Sequence, residues 1–247
     1  MHRIATLPGN LPQEENTFIE QPTAPVIFLT SATSDITCLS TVLKLPKNKK
    51  WKNKIRALPI AYLSSNATID HYISNTCKSA EIIVVRFLGS RSYWSYGFEQ
   101  LSLWQLEKPN RHLIVLSGIE STANDLQEIS SLTQDKVNLI QTLLNQGGLK
   151  NYNYLLHIFE NLIDFEDINF DSDLIEYHGE LIKWKWKKNH NPSIAVFLYK
   201  SLLQSGNTEL ADKIIEISNK YNLNTRIVWI TSFKSKDIQS KIINLLE

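Results

Sequence analysis

One block of the sequence, residues 86–97, brings two arginines and three aromatic side chains together within twelve residues. Guanidinium groups bind carboxylates with two parallel hydrogen bonds, and aromatic faces attract cations and flat conjugated rings. The block directly follows an apolar run, and ligands of open α/β sheets bind at such strand ends. It therefore suits a flat anionic macrocycle, with these candidate ligand-facing residues: Arg86, Arg91, Tyr93 and Tyr96.

Packing is the alternative explanation for the same aromatic side chains. Tyr93, Trp94 and Tyr96 could instead fix a helix to the sheet or to a neighbouring domain. Tyr93 and Tyr96 are three residues apart and share a helical face, whereas Trp94 points elsewhere. We therefore expect Arg91 and one of the two tyrosines to be exposed, and Trp94 to be buried.

Two lysine-rich patterns raise the question of nucleic-acid binding. Six lysines surround Trp51 between residues 44 and 54, and lysine alternates with tryptophan in residues 183–188. The first pattern is typical of a nucleic-acid patch or, alternatively, of a solvated loop between a helix and a strand. The second favours an edge strand whose lysines block aggregation over a binding ribbon.

The loops that follow the apolar runs could bind an anion at a helix start. They are residues 30–35, 89–91 and 117–118, rich in Ser, Thr and Gly. Backbone N–H groups at helix starts attract anions, but Ser, Thr and Asp are equally typical of ordinary helix caps. The dinucleotide fingerprint G-x-G-x-x-G and the phosphate loop G-x-x-x-x-G-K are both absent from the sequence.

No catalytic or metal-binding motif is present in the sequence. Residues 167–178 resemble a calcium loop, but Ser172 and His178 replace the required Gly and Glu. The six histidines lack zinc spacing, and no nucleophile elbow occurs. Cys38 and Cys77 cannot form a disulfide framework, and they suit a reducing, cytoplasmic setting.

These residues must be positioned by alternating strands and helices. Apolar runs predict strands at 26–29, 54–63, 82–87 and 112–116. Helical spacing follows in 35–43, in a helix capped by Thr68 or Asp70 that runs to Cys77, and in 93–107. The alternation predicts an α/β fold of the Rossmann or flavodoxin-like type, with a parallel sheet, flanking helices and right-handed crossovers.

The second half begins with a helical excursion and continues as a new α/β unit. Helices are predicted at 135–146, ended by Gly147-Gly148, and at 151–162. A strand at 194–199, a helix at 209–219, a strand at 226–230 and a helix at 236–246 follow. We thus divide the chain into an extended lead-in (1–24), a parallel α/β domain (25–130), a helical pair with linker (131–192) and an incomplete second unit (193–247).

Composition excludes some classes of protein. The 247 residues are 43% hydrophobic and carry a net charge of +1, so nothing draws the chain globally to nucleic acid or membrane. No secretory signal or run of about eighteen apolar residues is visible. We therefore predict neither a nucleic-acid nor a membrane partner.

Several stretches, in order along essentially the whole chain, resemble one family. The most specific is the block from Val84 to Gln100, VVRFLGSRSYWSYGFEQ. It is accompanied by MHRI, LPG, FIEQP and APVIFLTSATSDI in the first 36 residues, by QGG with Asn151, and by AVFLYKS with SGNT near residue 200. These stretches resemble the amino-terminal segment of the cobaltochelatase large subunit, which is related to the porphyrin-binding large subunit of magnesium chelatase.

The resemblance implies a role in ATP-dependent insertion of cobalt into hydrogenobyrinic acid a,c-diamide, a corrin precursor of cobalamin. In that family the large subunit binds the tetrapyrrole, and two smaller subunits, one of the AAA+ type, supply ATP hydrolysis. The implied partners are thus the rest of the large subunit, the AAA+ subunits and the corrin precursor. ATP and cobalt are implied for the full complex, and we expect no cofactor on this segment.

Length departs from the family pattern, because the family's subunit is several times longer. The chain is therefore not expected to be catalytic alone. A fragment, a truncated gene and one piece of a split subunit all remain open. The second hypothesis is a stand-alone, non-catalytic α/β binding module for an anionic small molecule or a protein partner.

Overall fold

The computed structural model describes residues 17–118, 123–160, 162 and 190–246. Its first sheet has four parallel strands in the order β2-β1-β3-β4. The strands are β1 (Val26–Thr30), β2 (Ile55–Pro59), β3 (Ile82–Phe87) and β4 (His112–Ser117). The helices that connect and follow them are α1 (Thr33–Leu43), α2 (Asn66–Asn75), α3 (Ser95–Leu106) and α4 (Ala123–Gln127). The predicted α/β fold with a parallel sheet is confirmed.

The strands form where apolar side chains predominate, because both faces of this sheet are covered. Every residue of β1 and β3 is buried. One face packs against α1 through Cys38, Leu39 and Val42. The other face packs against α2 and α3, so the sheet has helices on both sides, as right-handed crossovers from β1 to β2 and back to β3 require.

Two further helices cover the face that carries α1. They are α5 (Gln134–Gln146) and α6 (Gly148–Glu160). Their apolar residues, including Ile140 and Leu155, join the same core cluster as Val84 of β3. The predicted helical pair thus packs on the first sheet, while most of the predicted linker lies outside the described residues.

Both edges of the first sheet are capped by the chain itself. At the β2 edge, Gln21 Nε2 donates to the Ala57 carbonyl at 3.2 Å, and Arg56 Nε donates to the Pro22 carbonyl at 2.9 Å. The lead-in therefore lies along β2.

At the β4 edge, the backbone N–H groups of Leu113 and Val115 donate to the hydroxyls of Ser131 and Ser130. Capped edges cannot recruit another strand.

A second unit contains two parallel strands, β5 (Ser193–Tyr199) and β6 (Asn224–Ile230). Three helices accompany them: α7 (Lys200–Gln204), α8 (Glu209–Lys220) and α9 (Lys236–Leu246). One face packs on α7 and α8, and the other on α9. Both predicted strands of this unit are present.

Two glycines with positive φ form the contact between the two units. A Cβ on Gly147 (φ +67°) would lie 2.8 Å from the Gln204 carbonyl oxygen, and one on Gly206 (φ +73°) would lie 2.5 Å from Leu149 Cδ2. Gln204 Nε2 also donates to the Asn145 carbonyl at 2.9 Å. The unit of β5 and β6 is therefore seated on the α5–α6 junction.

Several element boundaries differ from the sequence predictions. The strand predicted at 54–63 ends at Pro59 and turns into a short 3-10 helix, because proline fixes the backbone there. The cap of α2 is Ser65, in a capping box with Thr68. The helix predicted from Tyr93 begins with a 3-10 turn, and α3 proper starts at Ser95. Within the described ranges, no helix is long and apolar enough to cross a membrane.

Candidate functional site at the carboxyl edge of the first sheet

The carboxyl ends of β1 and β3 form the topological switch point of the first sheet. The chain passes from β1 to β2 on one side and returns to β3 on the other. Ligands of open α/β sheets bind in the crevice at such a point. The residues placed there are Thr30 and Ser31 after β1, and Arg86 near the end of β3.

A buried ion pair fills this crevice. Arg86 Nη1 lies 2.7 Å from Asp35 Oδ1, and the two side chains are only 2% and 4% exposed. Asp35 Oδ2 accepts from the Thr30 hydroxyl at 2.8 Å, and Arg86 Nη2 donates to Asn145 Oδ1 at 3.0 Å. Arg86 is thus held by β1, α1 and α5 together, and its guanidinium terminus has protein partners.

Backbone contacts close the same crevice further. Ser31 N–H donates to the Arg86 carbonyl at 2.9 Å, and Leu88 N–H donates to the Ser31 hydroxyl at 3.2 Å. The loop at residues 30–35 therefore uses the Ser31 N–H and hydroxyl for contacts within the protein. Arg86, one of the four predicted ligand-facing residues, occupies a structural position at the base of the site.

Arg91 and Tyr93 lie on the surface above this closed crevice. Arg91 is exposed, and the Tyr93 side chain is 65% exposed. The Arg91 N–H donates to Asp125 Oδ2 of α4 at 3.4 Å, and the hydroxyls of Ser90 and Ser92 are 2.8 Å apart. We call Arg91 and Tyr93 the rim pair. It places a cation and an aromatic ring at the carboxyl edge of the sheet.

Trp94 packs inside, as its helical position predicts. It is 5% exposed, its Nε1 donates to the Leu63 carbonyl at 2.9 Å, and its ring contacts Phe87 and Phe98. A Cβ on Gly97 would lie 2.2 Å from the indole, so only glycine fits there. Trp94 therefore anchors the rim pair to the core.

Tyr96 faces a different environment from the rim pair. Its hydroxyl donates to both carboxylate oxygens of Asp70, at 2.8 and 3.0 Å. That hydrogen bond is the main cause that raises the pKa of Tyr96. Tyr96 lines a shallow groove of about 370 Å³ between α2 and α3, and neither Arg91 nor Tyr93 lines it. The structure thus brings together only two of the four predicted residues.

Tyr62 is a surface residue that the sequence reading missed. It ends the 3-10 turn after β2 and is 45% exposed. Leu63, the residue after Tyr62, is held against the Trp94 turn by the hydrogen bond from Trp94 Nε1 to its carbonyl. Tyr62 therefore also lies at the carboxyl edge of the sheet. The available sequence signal was the position of a tyrosine just after a strand that ends in proline.

The two cysteines are buried as thiols. Burial raises the pKa of Cys38 to about 12, and the neighbouring Asp35 carboxylate adds to this effect. Burial likewise raises the pKa of Cys77 to about 12. Thiolates are the nucleophilic and metal-binding form, so both side chains stay protonated at neutral pH while they are buried.

Side chains of the types that bind metals are dispersed in the described part of the chain. The described residues hold no group of three or more His, Cys, Asp or Glu that could bind a metal. The calcium-like loop at 167–178 and the lysine–tryptophan alternation at 183–188 lie outside the described residues.

The lysine-rich segment contains a 3-10 turn, Pro46–Trp51, whose lysines are exposed. Trp51 is buried against Phe159, and Asn48 Nδ2 donates to the Val42 carbonyl and to Asn153 Oδ1. Lys50 pairs with Glu160 at 2.5 Å. Because Trp51 is buried, it cannot stack on a nucleic-acid base. The geometry fits the reading as a solvated loop between a helix and a strand.

Comparison with known proteins identifies the relatives of this arrangement. The chain is 23% identical over 260 residues to the aerobic cobaltochelatase subunit CobN of Pseudomonas aeruginosa, a match that covers 100% of this chain and 20% of that protein. It is 21% identical to the Sinorhizobium sp. subunit of the same name, over 95% of this chain and 20% of the relative. The chain resembles a segment of the cobaltochelatase large subunit.

A solved structure supports the same fold. The catalytic subunit of cobaltochelatase from Mycobacterium tuberculosis superposes with a TM-score of 0.65 at 16% identity, over 90% of this chain and 17% of that one. No family model matches the sequence. The chain spans about a fifth of the length of the cobaltochelatase subunits that it matches.

Proposed function

We propose that this chain is the amino-terminal part of the tetrapyrrole-binding large subunit of an ATP-dependent cobaltochelatase. The observation that carries the proposal is the match along the whole chain to two cobaltochelatase subunits. In this role it binds hydrogenobyrinic acid a,c-diamide together with the rest of the subunit, and AAA+ subunits hydrolyse ATP. The chain alone performs no catalysis.

The rim pair is the part of this chain that we assign to the corrin precursor. A corrin precursor carries several carboxylates around a flat conjugated ring. The Arg91 guanidinium can bind a carboxylate, and the exposed Tyr93 ring can lie against the macrocycle. Arg86 acts as a positioning residue, because it fixes the end of β3 from below.

A chimeric subunit tests this assignment. In it, this chain replaces the matched fifth of the P. aeruginosa subunit, and binding of hydrogenobyrinic acid a,c-diamide is followed by absorbance titration. Hydrogen bonds to charged groups contribute about 1.5–3 kcal/mol, so Arg91→Ala should weaken binding by about 10- to 100-fold. Tyr93→Ala should weaken it less, and neither change should lower the melting temperature appreciably.

Matched controls come from the opposite edge and from the second unit. Lys108→Ala removes an exposed cation just before β4, and Tyr221→Ala removes a tyrosine that is 74% exposed. Both variants should bind like wild type. If Arg91→Ala also binds like wild type, the assignment of the rim pair is wrong.

A second experiment addresses catalysis. The sequence has no phosphate loop, so the isolated 247-residue protein should neither hydrolyse ATP nor insert cobalt. Cobalt insertion is followed by the absorbance change of the a,c-diamide, with and without ATP. Insertion by this chain without partner subunits would contradict the proposal.

A further inference from the structure

β5 is more exposed than either edge strand of the first sheet, β2 or β4. The first sheet's own edge strands are largely covered: five of six residues of β4 are buried, and none of β2 is exposed. In β5, no residue is buried and three are exposed, whereas five of seven residues of β6 are buried. The apolar sequence of β5, Ser-Ile-Ala-Val-Phe-Leu-Tyr, is typical of an internal parallel strand.

The outer edge of β5 also lacks the caps found on β2 and β4. Its backbone pairs with β6, and among the described residues outside β6 and the first turn of α7 none hydrogen-bonds to it. The strand contains no proline and no charged residue that would discourage a neighbouring strand from pairing. A two-stranded sheet is at best marginally stable alone. Among the described residues, the outer edge of β5 is therefore open to a further strand.

The position of α9 selects β5 over β6 as the site of addition. α8 covers one face of the small sheet and α9 covers the other. The first sheet has the same arrangement, with α1 and α2 on opposite faces, and there the strand after α2 pairs with β1. A right-handed crossover through α9 likewise leads to the free edge of β5.

We infer that the free edge of β5 is the docking site for one parallel, apolar strand of the cobaltochelatase large subunit, the strand that follows α9 in the full-length subunit. The relatives have about four-fifths of their length outside the matched region, which provides ample polypeptide for it. Only the identity of that polypeptide rests on the proposed function. The strand order of the completed sheet is then β6, β5, added strand, which matches the order β2, β1, β3 in the first sheet.

Hydrogen exchange followed by mass spectrometry tests the inference. Amides of residues 193–199 should exchange at least about tenfold more slowly in the chimeric subunit than in the 247-residue chain, because they gain partners. Amides of β3 serve as the internal reference and should be unchanged. Unchanged exchange of 193–199, or new protection confined to β6, would overturn the inference. The measurement needs no tetrapyrrole, so its outcome is independent of the rim pair.

A charge placed on β5 gives a second readout. Ala195 is exposed, and Ala195→Lys should leave the melting temperature of the 247-residue chain unchanged but lower that of the chimera by several degrees. Asn219→Lys, which adds the same charge on the exposed side of α8, should lower neither. Equal effects of Ala195→Lys in both proteins would contradict docking at this edge.

Two other occupants have their own signatures. If residues 183–188 or a second copy cover the edge, residues 193–199 are already protected in the 247-residue chain. A dimer on a sizing column then identifies the second copy, and either result overturns the inference. Should the chimera not fold, the natural P. aeruginosa subunit is measured at the segment aligned with 193–199. Its amides should be protected as strongly as those aligned with 224–230.

Discussion

The first sheet and the second unit use the same βαβ geometry but differ in how they are finished. The first has four strands, helices on both faces, capped edges and a buried ion pair at its switch point. The second has two strands within the described residues, a half-exposed β5 and apolar residues such as Tyr199 and Ile243 on its surface. Similar local sequences thus give different burial, because the neighbours of each strand, and not the strand alone, decide it.

The largest effect should come from breaking the ion pair of the first sheet. Arg86→Met leaves Asp35 buried without its partner, which costs about 3–5 kcal/mol of unfolding free energy. The double variant Arg86→Met/Asp35→Leu should recover most of this loss, because no buried charge remains. Urea unfolding gives both values. A double variant as unstable as the single one would show that the pair is itself strongly stabilising.

Trp94→Ala should have a similar or slightly smaller effect on the first sheet. It removes a buried indole from a cluster with Phe87 and Phe98 and should cost roughly 3–5 kcal/mol. The neighbouring Tyr93→Ala is the control, since exposed side chains usually change stability by about 0.5 kcal/mol or less. Equal losses for the two variants would contradict the assignment of Trp94 to the core and Tyr93 to the rim.

Native-state hydrogen exchange compares the two regions directly. Residues 193–247 should be less protected than residues 25–118 in the 247-residue chain, by at least about tenfold in exchange rate for β5 against β3. The reason is that, in the part of the chain that the structure describes, β5 pairs with one strand whereas β3 pairs with two. Equal protection of β5 and β3 would contradict the view that the second sheet is less stable than the first.

The smallest effect is expected at the surface of the lysine-rich turn. Lys50→Ala should cost less than about 1 kcal/mol, because both partners of the Lys50–Glu160 pair are substantially exposed. The hydrogen bond from Lys50 lowers the pKa of Glu160 below its ordinary value of 4.5. The contribution of the Lys50–Glu160 pair to the free energy of unfolding is therefore present above pH 4.5. It disappears as the pH falls through the lowered pKa of Glu160.

Unfolding of Lys50→Ala and wild type at pH 7 and at about pH 3 measures this dependence. Lys47→Ala, which removes an exposed lysine of the same turn, is the control. A difference that persists unchanged at acid pH would mean that Lys50 acts through packing and not through its charge.

Much of the fold was predictable because burial on both faces leaves a continuous apolar run, as in β3. The end of β2 was not, because residues 60–63 stay apolar after Pro59 stops the ladder. In the site, helical spacing alone placed Trp94 inside. The partner of Arg86 could not be predicted, since Asp35 and Asn145 are 51 and 59 residues away and only the folded chain brings them together.

The contact at Gly206 links the reactivity of the Cys38 thiol to the contact between the two units. A Cβ on Gly206 would lie 3.7 Å from Cys38 Sγ, so the second unit packs beside this thiol of α1. We expect alkylation of Cys38 to be faster when α7 leaves the α5–α6 junction. The modification rate of Cys38, set against that of Cys77 deep under the opposite face, therefore reports how often the two units part in solution.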